Sequence, residues 1–311
     1  MYFPYLRGKQ FELLALRELI DLPLDSDKTI PIIEPVKSNL SSLKTAVKAI
    51  SKIGIKVQLI LNPEVGDFKT NPSPILGLIQ EFAELENNPI IPAYIVKADK
   101  DVDFIRTSIF ANGFAASGYG LVHLNKIGRI EELSELTKTS TCLYNTIQIN
   151  HLFALRRKFD NKALLSDYFN KQRVNVDYLS IPEEVFSSDY AYYQEENCVA
   201  FSDYQAIGYE YSDGGGAAYA VAIHLTFKEA GDEDIRIAHF VSDTNDDRND
   251  PGGKFFEALQ KLIDFIDARK ISDTIALRKF RECYDRQAFP GLGVVKKLSI
   301  MHHIELIQGL I

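Results

Sequence analysis

Hydrophobic positions in this chain follow two alternating rhythms. Short apolar runs, which read as strands covered on both faces, are each followed by apolar residues recurring three and four apart, the mark of an amphipathic helix. Residues 29–37 show the unit most clearly. Ile30-Pro31-Ile32-Ile33 is a buried strand, and Glu34 and Lys37 stand where it stops. After a cap at Ser41 or Ser42, Leu43, Ala46, Val47, Ile50 and Ile53 repeat at helical spacing up to Gly54.

The unit recurs along the chain. The pattern predicts further strands at 2–6, 55–61, 90–96, 118–124, 141–149, from 163 to 165, and at 198–201. The helices between them carry Leu13/Leu16, Ile75/Leu78/Ile79/Phe82, Val102/Ile105/Ile109, Ile130/Leu133/Leu136 and Leu152/Leu155, with Asp21-Leu22-Pro23 closing the first. Residues 170–197 fit least well, being long and rich in Tyr and acidic residues, and only 182–193 looks helical. Eight strands with seven crossovers fit a closed (β/α)₈ barrel better than an open sheet, because eight parallel strands close without an exposed edge.

A different rhythm follows the eighth strand. In 217–228, Tyr219, Val221, Ile223, Leu225 and Phe227 alternate with Ala218, Ala220, Ala222, His224 and Thr226, and 235–241 reads as the return strand of a β-hairpin after a polar turn at 229–234. This hairpin, an insertion over 206–241, is expected near the barrel mouth, and the helix at 253–268 is expected to close the barrel. The reading makes 1–270 a barrel domain and 271–311 an extension of two helices, split at Pro290-Gly291 and packed on it.

Composition narrows the class. At 46% hydrophobic and 25% charged the chain is an ordinary globular one, and 311 residues suit a barrel with additions. A net charge of -8 argues against broad electrostatic adhesion to nucleic acid or anionic membrane. Cys142, Cys198 and Cys283 have no paired or metal-knuckle spacing, so reduced thiols are expected. Charges at Arg7, Lys9, Glu12, Arg17 and Glu18 interrupt the N-terminus, and no apolar run approaches membrane-spanning length, so the expected address is cytoplasmic.

If the barrel is right, the strand ends converge on one mouth. They carry Arg7, Glu34, Lys37, Asn62, Glu64, Lys97, His123, Asn150, Asp167 and Asp203. For each alone, a loop cap or solvated rim charge competes evenly with a functional role. As a set, Glu34, Asp167 and Asp203 are the candidate acids, bases or metal ligands, with Lys97 and His123 beside them, and hard oxygen ligands of this kind suit Mg²⁺ or Mn²⁺. Asp250-Pro251-Gly252-Gly253-Lys254 opens a helix where free N–H groups and a lysine favour an anion, while Gly214-Gly215-Gly216 is a flexible turn or lid hinge; an ordinary cap and turn are the plainer readings. His224 and His239 read as structural hairpin residues and His302-His303 as surface. The basic residues Arg156-Arg157-Lys158, Lys279, Arg281, Arg286, Lys296 and Lys297 are interleaved with acids and read as a solvated face.

The opening Met1-Tyr2-Phe3-Pro4-Tyr5-Leu6-Arg7-Gly8-Lys9-Gln10-Phe11-Glu12-Leu13-Leu14-Ala15-Leu16, with Ile32-Ile33-Glu34-Pro35-Val36 and Phe201-Ser202-Asp203-Tyr204, resembles the beta family proteins of bacteria and phages. The resemblance implies a barrel-like domain of unestablished activity, sometimes encoded beside a small companion protein in mobile or defence-type gene neighbourhoods. It carries over no catalytic set. Two expectations stand together. One is a mouth that handles an anionic or phosphorylated small molecule or nucleotide, by acid-base or metal-assisted hydrolase or lyase chemistry if it is an enzyme. The other is a noncatalytic barrel that senses a ligand or docks the companion through the hairpin and C-terminal helices.

Overall fold

A computed structural model of the chain describes residues 1–21, 25–213 and 219–311. Leu22 and Pro23, expected to end the first helix, lie outside the described residues, as do Gly214-Gly215-Gly216, Ala217 and Ala218. The chain forms two compact units: Met1–Leu13, Ile20–Ser166 and Asp189–Asp203 make the first, and Leu14–Leu19, Asp167–Ser188 and Tyr204–Ile311 the second. The chain passes between the two units after Leu13, Leu19, Ser166, Ser188 and Asp203.

The first unit is an eight-stranded parallel barrel. Its strands are β1 (Tyr5–Leu6), β2 (Ile32–Ile33), β3 (Val57–Ile60), β4 (Ile90–Val96), β5 (Tyr119–His123), β6 (Cys142–Gln148) and β7 (Lys162–Ser166). Next in the chain comes β8 (Glu183–Ser187), of the second unit, and β9 (Ala200–Asp203) is the eighth barrel strand, beside β7. The ring closes where Tyr2 bridges Phe201, with the Phe3 N–H donating to the Phe201 carbonyl at 2.8 Å. Helices follow the strands: α1 (Gln10–Glu18), α2 (Ser41–Ser51), α3 (Ser73–Ala83), α4 (Lys100–Ala111), α5 (Phe114–Ser117), α6 (Ile130–Lys138), α7 (Ile149–Leu155) and the short α8 (Asp189–Tyr192). Their buried stripes, such as Leu43, Ala46, Val47 and Ile50 on α2, are those the periodicity marks.

Two contacts fix which side chains point into the barrel. Phe3 on the closing edge meets Tyr144 of β6 with ring centroids 4.9 Å apart, and a Cβ on Gly120 of β5 would lie 2.6 Å from Gln58 Oε1 of β3. Both pairs join non-adjacent strands, so these residues face the interior, and alternation assigns the rest. Glycine at 120 is what leaves room for the Gln58 amide.

The second unit is built on a three-stranded antiparallel sheet, β10 (Ala222–Lys228), β11 (Ile235–Val241) and β8, in that order. The expected hairpin is present. The expected helix over 182–193 is not: 183–187 is a strand, paired with β11, and only Asp189–Tyr192 turns. Glutamates are poor strand formers, so the pairing rather than the local sequence makes Glu183-Glu184 extended. Helices α9 (Pro251–Arg269), α10 (Ile275–Asp285) and α11 (Leu292–Leu310) complete this unit.

Phe265 of α9 packs on Phe227 and Phe240, covering one face of the sheet, while His303 of α11 hydrogen-bonds Thr226 on the other. His302 and His303, expected at the surface, are therefore fully buried. His302 bridges Thr274 Oγ1 at 2.9 Å and the Thr226 carbonyl at 2.7 Å, contacts that satisfy a buried imidazole. Among the described residues no helix is long and apolar enough to cross a membrane.

Candidate functional site

Part of the expected mouth cluster exists in the barrel unit. Glu34 follows β2 on the inward face and is 1% exposed; its Oε2 accepts from the Tyr5 hydroxyl at 2.8 Å and lies 3.3 Å from Arg7 Nη1. Its Oε1 accepts from the Glu64 N–H at 2.8 Å, and the Glu64 carboxylate in turn pairs with Lys97 Nζ at 2.5 Å. Asn62 uses its side-chain amide as a strand extension, donating to the Ile95 carbonyl and accepting from the Ile95 N–H, each at 2.8 Å. Arg7, Glu34, Glu64 and Lys97 thus form one chain of contacts in which two cations and two carboxylates compensate each other. Glu34 has its lone pairs engaged by protein donors, which is how a buried carboxylate is held in a scaffold.

Other mouth candidates have their own surroundings. Asp203 has the parity of Phe201, not of inward-facing Ser202; its Oδ1 accepts from the hydroxyl of Tyr2, whose ring lies 5.1 Å from Phe201 on the outward face. Asp167 belongs to the second unit, where it accepts from the Tyr209 N–H at 3.1 Å. His123 has the parity opposite to Gly120, so it faces outward. Its Nε2 is 3.1 Å from Asn145 Oδ1 and its ring 4.4 Å from Phe159, and burial pulls its pKa down to about 4. Glu34 and Asp203 therefore stand on opposite faces of the barrel wall, because a strand's end determines height in a barrel while parity determines side. Among the described residues no group of three or more His, Cys, Asp and Glu is placed to hold a metal ion. Lys37 is exposed.

The expected anion site at 252–254 is filled by the chain's own carboxylates. Asp250 Oδ1 accepts the Gly253 N–H at 2.8 Å and caps α9, while buried Lys254 donates through Nζ to the Asp247 carbonyl at 2.6 Å and lies 3.2 Å from Asp247 Oδ1.

A site that the sequence reading set aside lies wholly within the second unit. A cavity of about 320 Å³ is bounded by β10, α11 and the segment around Phe169 and Tyr178. Lys171, Arg173 and Lys296 line it, and no carboxylate does among the described residues. Lys171 reaches Glu210 at 2.8 Å, but Arg173 and Lys296 make no ion pair among the described residues.

His224 also lines this cavity. Because Lys228 opposes Ile235 across the hairpin turn, the register sets His224 directly opposite His239, and their Nδ1 atoms are 2.8 Å apart. His239 Nε2 is 3.3 Å from Glu184 Oε1 on β8. The Tyr178 ring lies tilted with its centroid within 4.6 Å of both imidazoles, and Phe169 stands 5.0 Å from His224. Burial, then the neighbouring His239, pull His224 down to about 3; burial also lowers His239, against the pull of Glu184. The hairpin strands read from the sequence already imply the His224–His239 pairing; Glu184 was hidden because β8 was not recognised. No protein-family model, curated protein or solved structure matches the chain.

Proposed function

We propose that this protein binds a small anionic molecule, phosphoryl-bearing ligands foremost, in the cavity of its second unit. The observation that carries this reading is a concave site lined, among the described residues, by three cationic side chains and no carboxylate, in a chain whose net charge is -8. Arg173 and Lys296 have no ion-pair partner among the described residues, so an anion gains charge-assisted hydrogen bonds there without displacing an existing ion pair. At the barrel end the cations already have carboxylate partners, and an anion would have to break those pairs first.

Titration calorimetry with inorganic phosphate, pyrophosphate and nucleoside phosphates tests the proposal. Binding should weaken about 10-fold or more in Arg173→Ala and in Lys296→Ala, since a hydrogen bond to a charged group is worth roughly 1.5–3 kcal/mol. It should also weaken with added salt. An affinity that neither substitution changes would remove the site from consideration.

A further inference from the structure

We propose that the cavity hydrolyses a phosphoester, with His224 Nε2 as the base that takes a proton from the attacking water. The inference rests on the anion-binding reading above and adds a reaction to it.

Proton positions follow from the contacts. An ionised carboxylate only accepts, so Glu184 places the proton of neutral His239 on Nε2, the nitrogen 3.3 Å from it. His239 Nδ1 then offers a lone pair, and the His224 nitrogen 2.8 Å away must be the N–H partner. His224 therefore carries its proton on Nδ1 and keeps a lone pair on Nε2. That atom lies on the far edge of a ring that lines the cavity, and His224 makes no other hydrogen bond among the described residues. A base whose second nitrogen is held by an acceptor backed by a carboxylate is the general arrangement for activating a nucleophile. Tyr178 and Phe169 fix the plane of the ring.

In the reaction, the water oxygen bonds to phosphorus as its proton passes to Nε2. The ester P–O bond breaks, its electron pair leaving with the ester oxygen, and the imidazolium returns the proton to that oxygen. Arg173 and Lys296, with Lys171, neutralise the phosphoryl oxygens. Facing His224 are His239 on β11 with Glu184 behind it on β8, Tyr178, and the cations Lys171, Arg173 and Lys296. Burial keeps His224 neutral near pH 7, the form that accepts a proton. A phosphoryl dianion beside it favours the protonated form and moves its pKa toward neutrality, where proton transfer is most effective.

The test uses the full chain with 4-nitrophenyl phosphate and bis(4-nitrophenyl) phosphate as substrates and inorganic phosphate as the binding probe. Turnover of at least one ester is expected, lost by about 100-fold or more in His224→Gln, with phosphate affinity little changed. Added imidazole should restore part of the rate in His224→Ala. Glu184 and His239 are positioning residues. Glu184→Gln should lower kcat more than it changes KM, and ¹⁵N spectra should show His224 passing from the Nδ1–H form to a tautomer mixture. Phosphate binding without turnover of either ester, or turnover that His224→Gln retains, overturns the catalytic inference and leaves anion binding standing. Absence of phosphate binding overturns both.

Discussion

Replacing Glu34 should damage the barrel and leave the cavity's ligand binding intact. In Glu34→Ala the Tyr5 hydroxyl and the Glu64 N–H each lose an acceptor at 2.8 Å, and Arg7, 6% exposed, loses the carboxylate 3.3 Å from its guanidinium. Hydrogen bonds to a charged group are worth roughly 1.5–3 kcal/mol each, and removing one partner of a buried ion pair costs about 3–5 kcal/mol in all. These are overlapping descriptions of one loss, so about 4 kcal/mol is expected. Glu34→Gln keeps one acceptor oxygen for the Glu64 N–H, with the Tyr5 hydroxyl turning to accept from the new amide, but takes the carboxylate away from Arg7, and should lose about half as much. Adding Arg7→Met to Glu34→Gln removes the guanidinium and should return stability to within about 1 kcal/mol of the parent. Urea unfolding followed by tyrosine fluorescence reads this directly, since the chain has 15 Tyr and no Trp. A Glu34→Ala protein as stable as the parent, or a double variant no better than Glu34→Gln, would refute the reasoning.

Two other outcomes follow from buried polar groups. His123 and His302 have pKa values drawn from 6.5 down to about 4 by burial, so the unfolded chain takes up their protons first and stability falls as pH drops from 6.5 toward 4. Each histidine contributes up to about 1.4 kcal/mol per pH unit, and His123→Phe should flatten the unfolding free energy against pH by one such share; an unchanged slope would contradict its burial as a neutral base. Gln58 is fully buried, with neither Nε2 nor Oε1 hydrogen-bonded among the described residues. Gln58→Met should therefore raise the unfolding free energy by roughly 1–3 kcal/mol in the same urea assay, and a loss of stability would show that the amide has a partner.

The barrel was legible because its signal is redundant: each of the first six barrel strands is followed by a helix whose apolar stripe repeats the message, and Leu43, Ala46, Val47 and Ile50 point inward as their spacing requires. Side-chain parity was less accessible. Arg7, Glu34, Glu64 and Lys97 meet as expected, yet Asp203 and His123, one residue out of phase with the interior, face the other way. One residue of phase is less than the uncertainty of a strand boundary read from hydrophobicity. The second unit was harder still. Pro182 to Ser187 offers two glutamates and no periodicity, and what makes it a strand is a partner some 50 residues away. His302 and His303 read as surface because adjacent positions on a helix diverge, whereas in α11 both directions lead into protein.

Strand β11 lies between β10 and β8, and His239 reaches outward from it to one neighbour on each side. The loop joining β10 to β11 can thus lengthen or shorten over generations without disturbing the trio, because hydrogen-bonded alignment on both flanks, not loop length, holds it. An extra residue within β10 is a different matter: inserted between His224 and the turn, it would move the His224 imidazole to the opposite face of the sheet, the one Phe265 covers, and leave Leu225 or the inserted residue opposite His239. Divergent copies of this chain are thereby free to drift at the hairpin tip and constrained in the spacing of three otherwise unremarkable strands.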